Sequence, residues 1–214
     1  MLVADHKYHA VILAAGLSSR AGAFKMELVL DGKPLLHHVL ASALGSVASI
    51  IIVTGHESGR VKSLVNGFLA GHSPRIPLTL CHNPLYQEGM FTSVLAGLRA
   101  VPAGGHALLQ PGDSPLVRPE TWACLIARAG VRHLPAVLIP VCGGTKGHPV
   151  LIPAGVLAAV TADHGDGRTG TLKEALASHP HEYLEIDDQG VLIDLDTPED
   201  YRRIEALVGR NRRE

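Results

Sequence analysis

The sequence has little cysteine, no metal-ligand spacing and no long hydrophobic run. Its three cysteines form no C-x-x-C pair, which argues against a disulfide scaffold and favours a reducing cytoplasm. None of its thirteen histidines stands in H-E-x-x-H or a similar spacing, so we expect no zinc site. No run approaches the roughly 20 apolar residues of a membrane span, and the apolar stretch at residues 10–17 is short for a signal peptide.

The charge balance excludes further classes of partner. The 19 basic and 20 acidic residues give a formal net charge of −1, which indicates neither a general nucleic-acid surface nor an acidic-lipid surface. With 46% hydrophobic and 18% charged residues, the 214 residues can bury the core of one large domain. We therefore expect a cytoplasmic protein with no nucleic-acid partner and no membrane partner.

Short β-rich runs alternate with helical patterns in the first two thirds of the chain. The predicted strands are 9–14, 49–54, 76–81, 106–110, 136–141 and 150–152, and the predicted helices are 34–43, 58–65, 91–100 and 119–129. Nearly continuous apolar strands separated by helices predict an α/β fold. We expect a mostly parallel, Rossmann-like sheet with helices on both faces.

The rhythm of the sequence changes after about residue 140. Three glycines at 143, 144 and 147 lie between two β-like runs, which favours a hairpin over a crossover. Helices near residues 157 and 170, strands at 183–186 and 191–194, and a helix at 198–208 follow. The sequence thus predicts one domain, 1–214, divided into a first half (1–140), a small β-hairpin/helix lid sub-region (141–195) and a closing helix (196–214).

The first predicted strand runs into a glycine-rich loop with two basic residues. Gly16 and Gly22 allow backbone amides to face an anion closely, while Arg20 can fork two phosphate oxygens and Lys25 adds a point charge. In an open parallel sheet this loop lies at the carboxyl edge, where ligands bind. The spacing is neither G-x-x-x-x-G-K-[ST] nor G-x-G-x-x-G. A flexible connection with two turn glycines is the alternative interpretation.

A carboxylate ends the fourth predicted strand. Asp113, just beyond residues 106–110, is suited to hold Mg²⁺ beside a phosphate loop. The alternative is ordinary turn chemistry, since Ser114 and Pro115 follow it.

Two more aspartates precede the last helix. Alternation along the late strand puts Asp194 and Asp196 on one face. Thr197 and Pro198 have the pattern of an N-cap followed by proline at N1, and Asp200 completes the capping-box spacing. We therefore expect Asp200 to serve the helix.

The connection after the third strand, residues 83–94, leads into a helix. Gly89 permits a close approach to a ligand, and Thr92 and Ser93 offer hydroxyls near a helix N-terminus. A plain N-cap is the alternative for Thr92.

These motifs, in this order, resemble the nucleotidyltransferases related to molybdenum cofactor guanylyl- and cytidylyltransferases. The similarity spans nearly the whole chain, through residues 13–25, 83–98, 112–117, 147–151 and 194–201. Ala21, where the family commonly has methionine, and Ser114 depart from the pattern. The resemblance implies Mg²⁺-dependent transfer of a nucleotidyl group to a small phosphorylated acceptor, with Asp113 and Asp196 as metal ligands and Asp194 as the fallback.

The resemblance also implies roles for single residues. Arg20, Lys25 and Asp113 would be catalytic, and His148 and Gly170 would bind the acceptor. Residues 1–140 would bind the nucleotide and 141–195 would form the acceptor side. The residues implied to bind the nucleotide are Leu13, Ala14, Ala15, Gly16, Arg20, Lys25, Asn83, Gly89, Ser93 and Asp113.

The choice of base rests on Ala15. The guanylyl enzymes of the family resemble each other in having glycine there, whereas Ala15 would narrow the base side. We therefore expect CTP and a molybdopterin acceptor, with a molybdoenzyme or its accessory protein as partner. Sugar and polyol-phosphate nucleotidyltransferases also carry Leu-Ala-Ala-Gly, so transfer from CTP or UTP to such an acceptor is an alternative. A non-catalytic molybdenum-cofactor carrier is another, although a carrier needs no pair of metal ligands.

Overall fold

Strands and helices alternate along the chain. The computed structural model describes residues 7–16, 24–132, 135–166 and 170–211, with the backbone alone for 131–132 and 206–211. The strands are β1 (Tyr8–Ala14), β2 (Val29–Leu30), β3 (Lys33–Pro34), β4 (Ser49–Thr54), β5 (Leu78–His82), β6 (His106–Pro111), β7 (Val137–Cys142), β8 (Thr145–Lys146), β9 (Val150–Ile152) and β10 (His181–Glu185). The α-helices are α1 (Leu35–Ala43), α2 (Ser58–His72), α3 (Met90–Arg99), α4 (Pro119–Arg132), α5 (Ala154–Asp163), α6 (Leu172–Leu176) and α7 (Pro198–Asn211).

Most strands belong to one sheet, in the order β10-β7-β9-β6-β1-β4-β5, with β8 paired to β7. Strands β6, β1, β4 and β5 are parallel, and so are β10 and β7. Strand β9 runs antiparallel between β6 and β7, and β2 and β3 form a separate hairpin. The predicted α/β fold with a mostly parallel sheet is confirmed.

The central strands contribute side chains to two cores, one on each face of the sheet. On β1, Ala10, Ile12 and Ala14 face the core under α1, α2 and α4, whereas Val11 faces the core under α3, α5 and α6. All four are at most 1% exposed, which explains why the strand reads as a nearly continuous apolar run. A third core ties α7 to the β2–β3 hairpin through Leu30, Leu35, Leu195 and Ile204.

The predicted strands and helices of the first half lie close to the observed ones. The largest deviation is α2, which runs on to His72 instead of ending at residue 65. Val61, Val65 and Phe68 form one buried stripe at helical spacing, so the packed face of the helix continues beyond the predicted end.

The second half contains the predicted hairpin but not the last predicted strand. Gly143 and Gly144, between β7 and β8, have φ of 56° and 80°, the positive values that two-residue hairpin turns require. The strand predicted at 191–194 is wrong, because Gln189–Leu192 form a 3-10 helix. The Asp188 side chain caps this helix by accepting a hydrogen bond from Gly190 N at 2.9 Å. Alternation along a strand therefore does not relate Asp194 to Asp196.

Strands β7, β9 and β10 continue the same sheet beyond β6. The functional division of the chain at residues 140 and 195 stays a prediction. Among the described residues, every helix is too short or too polar to cross a membrane.

Candidate active site

Three segments meet at the carboxyl ends of β1 and β6. Gly112, in the loop after β6, donates from its backbone N to Leu13 O at 2.9 Å. A Cβ at Gly112 would lie 2.7 Å from that oxygen, so the close approach requires glycine. Leu195 N in turn donates to Asp113 O at 3.0 Å. This bond brings residues 194–196 to the same edge of the sheet.

Lys25 joins the two predicted metal ligands. Its Nζ lies 3.1 Å from Asp113 Oδ2 and 2.7 Å from Asp196 Oδ1. The side chains of Lys25 and Asp113 are 10% and 22% exposed, whereas that of Asp196 is 57% exposed. Both carboxylates therefore lie within reach of one cation.

The charges of this cluster depend on one another. Burial disfavours the charged Lys25, but its hydrogen bond to Asp196 and the charge of Asp113 outweigh burial and raise the pKa of the ammonium. Burial raises the pKa of the Asp113 carboxyl, Lys25 opposes that shift, and the charge of Asp194 adds to it. Lys25 thus contributes a positive charge that its two partners stabilise.

The 3-10 helix Gln189–Leu192 holds the late aspartates against the rest of the site. A Cβ at Gly190 would lie 2.0 Å from Leu116 O, and a Cβ at Gly147 would lie 2.3 Å from Val191 O. Neither approach leaves room for a side chain. The helix is therefore wedged between the loop after β6 and the turn after β8.

Asp188 supports the site in a way that the sequence did not reveal. Its buried carboxylate accepts hydrogen bonds from Thr121 Oγ1 at 2.6 Å and from the backbone N of Arg118 and of Gly190, both at 2.9 Å. Asp188 thereby fastens the 3-10 helix to the start of α4. The available signal was Asp-x-Gly, a spacing that many ordinary turns share.

A cavity of about 350 Å³, called here the first cavity, lies beside Lys25 and Asp113. This volume is within the usual range for small-molecule sites. The predicted nucleotide-binding residues that line it are Leu13, Ala15, Gly16, Lys25, Gly89, Ser93 and Asp113. The lining residues that the sequence did not reveal are Met26, Tyr86, Gln87, Met90 and Pro111. Met26 lies in a short 3-10 helix and Pro111 at the end of β6. Tyr86, Gln87 and Met90 lie in the connection after the third predicted strand, where the sequence singled out only Asn83, Gly89, Thr92 and Ser93.

Two of the predicted nucleotide-binding residues that the structure describes do not line the first cavity. Ala14 is 1% exposed, because its side chain faces the core under α1, α2 and α4. Asn83 is buried and donates from Nδ2 to Thr92 Oγ1 at 2.8 Å and to Ser93 Oγ at 2.9 Å. Asn83 therefore positions Ser93 rather than forming part of the cavity wall.

Thr92 is not the N-cap of α3. Gly89, with φ of 123°, takes that position, and the Thr92 hydroxyl donates back to Gly89 O at 2.8 Å and to Leu85 O at 2.9 Å. Thr92 thus closes the loop onto the helix from inside the first turn.

A second cavity of about 400 Å³ adjoins the first and shares Asp113 with it. It continues past His148, Asp194 and Asp196, so the structure brings His148 to the carboxylates. Gly170 is not brought there, because it lines a smaller neighbouring cavity of about 200 Å³.

The charge of Asp194 acts on His148 in the second cavity. Burial lowers the pKa of His148, and the charges of Asp194 and Asp113 oppose the shift. Asp194 Oδ1 accepts a hydrogen bond from Ser114 Oγ at 2.5 Å, and Ser114 is 1% exposed. Ser114, one of the two residues that depart from the family pattern, therefore fixes the orientation of Asp194.

Arg20 and Gly22 lie outside the described residues. The predicted role of Arg20 stays a prediction.

The donor set at Asp113 and Asp196 fits a hard divalent cation. Both carboxylates contact one ammonium, and in the described ranges no group of three or more His, Cys, Asp or Glu side chains could hold a metal. Mg²⁺ binds proteins through one or two carboxylates and completes its shell with waters and phosphate oxygens. The pair therefore suits Mg²⁺ that arrives with a nucleotide.

Known proteins resemble this chain in sequence over most of its length. A family model described as the MobA-like NTP transferase domain matches residues 10–182. The chain is 30% identical over 191 residues to a molybdenum cofactor cytidylyltransferase of Escherichia coli (strain K12), which covers 89% of this chain and 92% of that relative. It is also 30% identical over 213 residues to a molybdenum cofactor guanylyltransferase of Cereibacter sphaeroides, covering 94% of this chain and 97% of the relative.

Solved structures share the fold. A nucleotidyl transferase from Methanothermobacter thermautotroptrophicus has a TM-score of 0.75 at 22% identity and covers 96% of this chain and 99% of its own. A Mycobacterium tuberculosis H37Rv protein solved in complex with manganese has a TM-score of 0.68 at 23% identity, covering 94% of this chain and 98% of its own. At these identities the likeness shows the fold alone.

Proposed function

This chain belongs to the MobA-like NTP transferase family and is a nucleotidyltransferase, and from that premise we propose that it transfers CMP from CTP to a molybdopterin-type acceptor. The observation that carries the proposal is the position of Asp113, which lines both cavities and contacts Lys25. A nucleotide in the first cavity and an acceptor phosphate in the second would meet there. The product would then pass to a molybdoenzyme or its accessory protein.

The reaction needs no side-chain nucleophile. An oxygen of the acceptor phosphate attacks the α-phosphorus of CTP in line, and the bond from that phosphorus to the bridging oxygen breaks, so that pyrophosphate leaves with the electron pair. Lys25 and Arg20 would offset the charge that builds on the phosphates, together with the backbone amides that follow Leu13.

Asp113 and Asp196 would hold Mg²⁺, which when bound would neutralise negative charge on the phosphate oxygens. Lys25 Nζ contacts one oxygen of each carboxylate, so a metal that binds these two oxygens would displace the ammonium. The triphosphate offers it new partners. On the other side of Asp113, His148 would bind the acceptor, because burial favours its neutral form and a neutral imidazole both donates and accepts a hydrogen bond.

The preference for CTP rests on Ala15, which is 5% exposed in the wall of the first cavity. A Cβ at Gly55 would lie 3.0 Å from Ala15 Cβ and 2.5 Å from Tyr86 Cβ, so the Ala15 methyl group is backed by packed atoms. This methyl group would narrow the part of the first cavity that holds the nucleotide base. Overall similarity does not choose the base, because the cytidylyl and the guanylyl relative are equally identical to this chain.

Membership of a transferase family argues against a non-catalytic molybdenum-cofactor carrier. The other alternative, transfer to a sugar or polyol phosphate, differs from the proposal in its acceptor. The test is pyrophosphate release from each of the four NTPs, with Mg²⁺ and either molybdenum-loaded molybdopterin or ribitol 5-phosphate. We expect the highest kcat/KM for CTP with molybdopterin. In Ala15→Gly we expect the preference for CTP over GTP to fall about ten-fold or more, the usual effect of one methyl group in a pocket. Equal kcat/KM for all four NTPs, or turnover confined to UTP and ribitol 5-phosphate, would overturn the proposal.

A further inference from the structure

A groove extends the second cavity away from the carboxylates. It has a volume of about 510 Å³ and shares Leu172 and Lys173 with the second cavity. We call it the distal groove; it lies between α6 and the strands β7, β8 and β10. A ligand whose phosphate lies near Asp113 could therefore continue along α6 into this groove without leaving the surface.

The floor of the distal groove is apolar. Ile139, Val150, Leu172 and Leu176 line it, and the same residues belong to the core under α3, α5 and α6 or pack against it. Their side chains are held in place by that core. Such a floor favours the flat face of a ring, because contact there removes apolar surface from water.

The rim of the distal groove carries hydrogen-bond donors. Lys146 Nζ lies 2.9 Å from the hydroxyl oxygen of Tyr183 and 4.3 Å from the centre of its ring. Tyr183 is 51% exposed, and because its oxygen accepts from Lys146, its own proton is available to a ligand. Lys173 makes no hydrogen bond or ion pair within the ranges that the structure describes. Lysine can only donate, so the matching ligand atoms must be acceptors.

The acidic side chains nearest the rim have other partners. Glu185, on the same face of β10 as Tyr183, accepts a hydrogen bond from Gly143 N at 2.9 Å. Glu174, next to Lys173 in α6, accepts one from Thr171 Oγ1 at 3.0 Å. Among the described residues, neither acid forms an ion pair with Lys146 or Lys173, so both ammonium groups can donate to a ligand at the rim.

We propose that the distal groove binds the ring end of the acceptor, a planar heterocycle with carbonyl and ring-nitrogen hydrogen-bond acceptors, while the acceptor's phosphate lies in the second cavity. This inference rests on the proposed function, because it takes the second cavity as the acceptor side. The floor contacts the face of the ring, and Lys146, Lys173 and Tyr183 donate to its edge. A polyol phosphate has no flat apolar face, and the second cavity alone, at about 400 Å³, would accommodate it. The groove thus selects acceptors that combine a phosphate with a ring system.

The test compares Lys146→Met, Lys173→Met and Tyr183→Ala with the wild-type enzyme, using molybdenum-loaded molybdopterin and CTP. Each variant should raise the KM for molybdopterin about ten-fold, as expected for loss of one charge-assisted hydrogen bond or one ring contact. The KM for CTP should not change, which also shows that the variants are folded. Tyr183→Phe keeps the ring and should have a smaller effect than Tyr183→Ala. Equilibrium dialysis with molybdopterin should give the same order of affinities without turnover.

The matched control is Lys62→Met, an exposed lysine of α2, which removes the same charge on the opposite face and should leave both KM values unchanged. An unchanged KM for molybdopterin in Lys146→Met and Tyr183→Ala would overturn the distal groove while leaving the proposed function intact. Wild-type enzyme that turns over ribitol 5-phosphate but not molybdopterin would contradict the proposed function and the groove together.

Discussion

Lys25 stands between the two carboxylates that would hold a metal. Its contacts with Asp113 and Asp196, at 3.1 Å and 2.7 Å, satisfy the negative charges that a divalent cation would otherwise bind. In the nucleotide-free protein, Lys25 and a metal would therefore compete for the same pair of carboxylates. A triphosphate that attracts the ammonium would remove this competition, so we expect metal and nucleotide to enter together.

Replacing Lys25 with methionine should act in opposite directions on the two ligands. Lys25→Met should bind Mn²⁺ alone at least about ten-fold more tightly than the wild type, because the paired anions then lack a counter-charge. It should bind CTP about ten- to a hundred-fold more weakly, because one charge-assisted contact with phosphate is lost. Titration of free Mn²⁺ by electron paramagnetic resonance, with and without CTP, measures both effects. Lys33→Met, which removes an exposed positive charge, is the control, and equal Mn²⁺ binding by all three proteins would contradict the competition.

The aspartates should divide into a metal-binding pair and an acceptor-side residue. Asp113→Asn should lower kcat by about a hundred-fold or more, since it weakens the charge stabilisation on which nucleotidyl transfer depends. Asp194→Asn should lower kcat less and raise the KM of the acceptor, because Asp194 lies beside His148 in the second cavity and its oxygen is held by Ser114 rather than by Lys25. Steady-state kinetics with Mg²⁺ and variable CTP or acceptor separates the two. A larger loss of kcat in Asp194→Asn would reverse the assignment of the second ligand.

For single residues, the sequence predicted which side chains come together in the site but not which contacts hold them there. Lys25, Asp113 and Ser93 lie in motifs at the ends of strands and helices, and these motifs could be identified from local pattern and family resemblance. The structural role of Asp188 could not be predicted, because its partner Thr121 lies far away in the chain. That of Asn83 was missed although its partners, Thr92 and Ser93, lie in the same connection. Ala14 was grouped with Leu13 and Ala15 because a motif names neighbours together, whereas a strand turns their side chains to opposite faces; its predicted part in nucleotide binding stays a prediction.

Among the elements, the 3-10 helix Gln189–Leu192 differs most from expectation. Val191 and Leu192 followed by Ile193 form a β-rich apolar run, which favours a strand. The Asp188 cap and the close contact of Gly190 with Leu116 override that preference. The cap is local, and its Asp-x-Gly signal is shared by many turns. The contact with Leu116 joins residues far apart in sequence, so the local sequence could not reveal it.

This element should be sensitive to a single methyl group. Gly190→Ala would put a Cβ 2.0 Å from Leu116 O, so the 3-10 helix must shift, at a cost of about 1–3 kcal/mol of stability. We expect kcat/KM to fall by a larger factor than this loss of stability alone would cause, because Asp194 and Asp196 move with the helix. Gly130→Ala in α4, where a Cβ meets nothing within 4 Å, should instead be neutral or stabilise by up to about 1 kcal/mol. Urea unfolding measures the stability of the two variants, and pyrophosphate release measures their activity. Equal stability and activity in both variants would contradict the close packing of the 3-10 helix.

In the whole molecule, the alternation of strands and helices was sufficient to predict a layered, mostly parallel sheet. The position of β9, antiparallel between β6 and β7, was not predictable, because it depends on pairing between strands far apart in sequence. The placement of both cavities along one edge follows from the parallel strands, whose carboxyl ends collect the loops. The fold class could thus be predicted from local sequence patterns, whereas the strand order of the second half could not.

Three histidines, one buried and two half-buried, should make the stability of the molecule depend on pH. Burial lowers the pKa of His9 in β1, His37 in α1 and His148 in the second cavity from their ordinary value of 6.5. Below that value the unfolded chain binds more protons at these positions than the folded chain, so acidification favours unfolding. The stability that the three neutral imidazoles preserve is fully present above 6.5 and is lost as the pH falls toward their folded pKa values.

We therefore expect the urea midpoint of the nucleotide-free protein to fall between about pH 7.5 and about pH 5.5, a range chosen to lie above the titration of most carboxyls. His9→Gln should lower the midpoint at the higher pH, because His9 packs beside Ser49 Oγ, 2.8 Å from its Nδ1. The same variant should reduce the difference between the two pH values, since one of the three proton-linked groups is gone. A midpoint that does not change with pH in the wild type, or an undiminished difference in His9→Gln, would show that these histidines do not link protonation to folding.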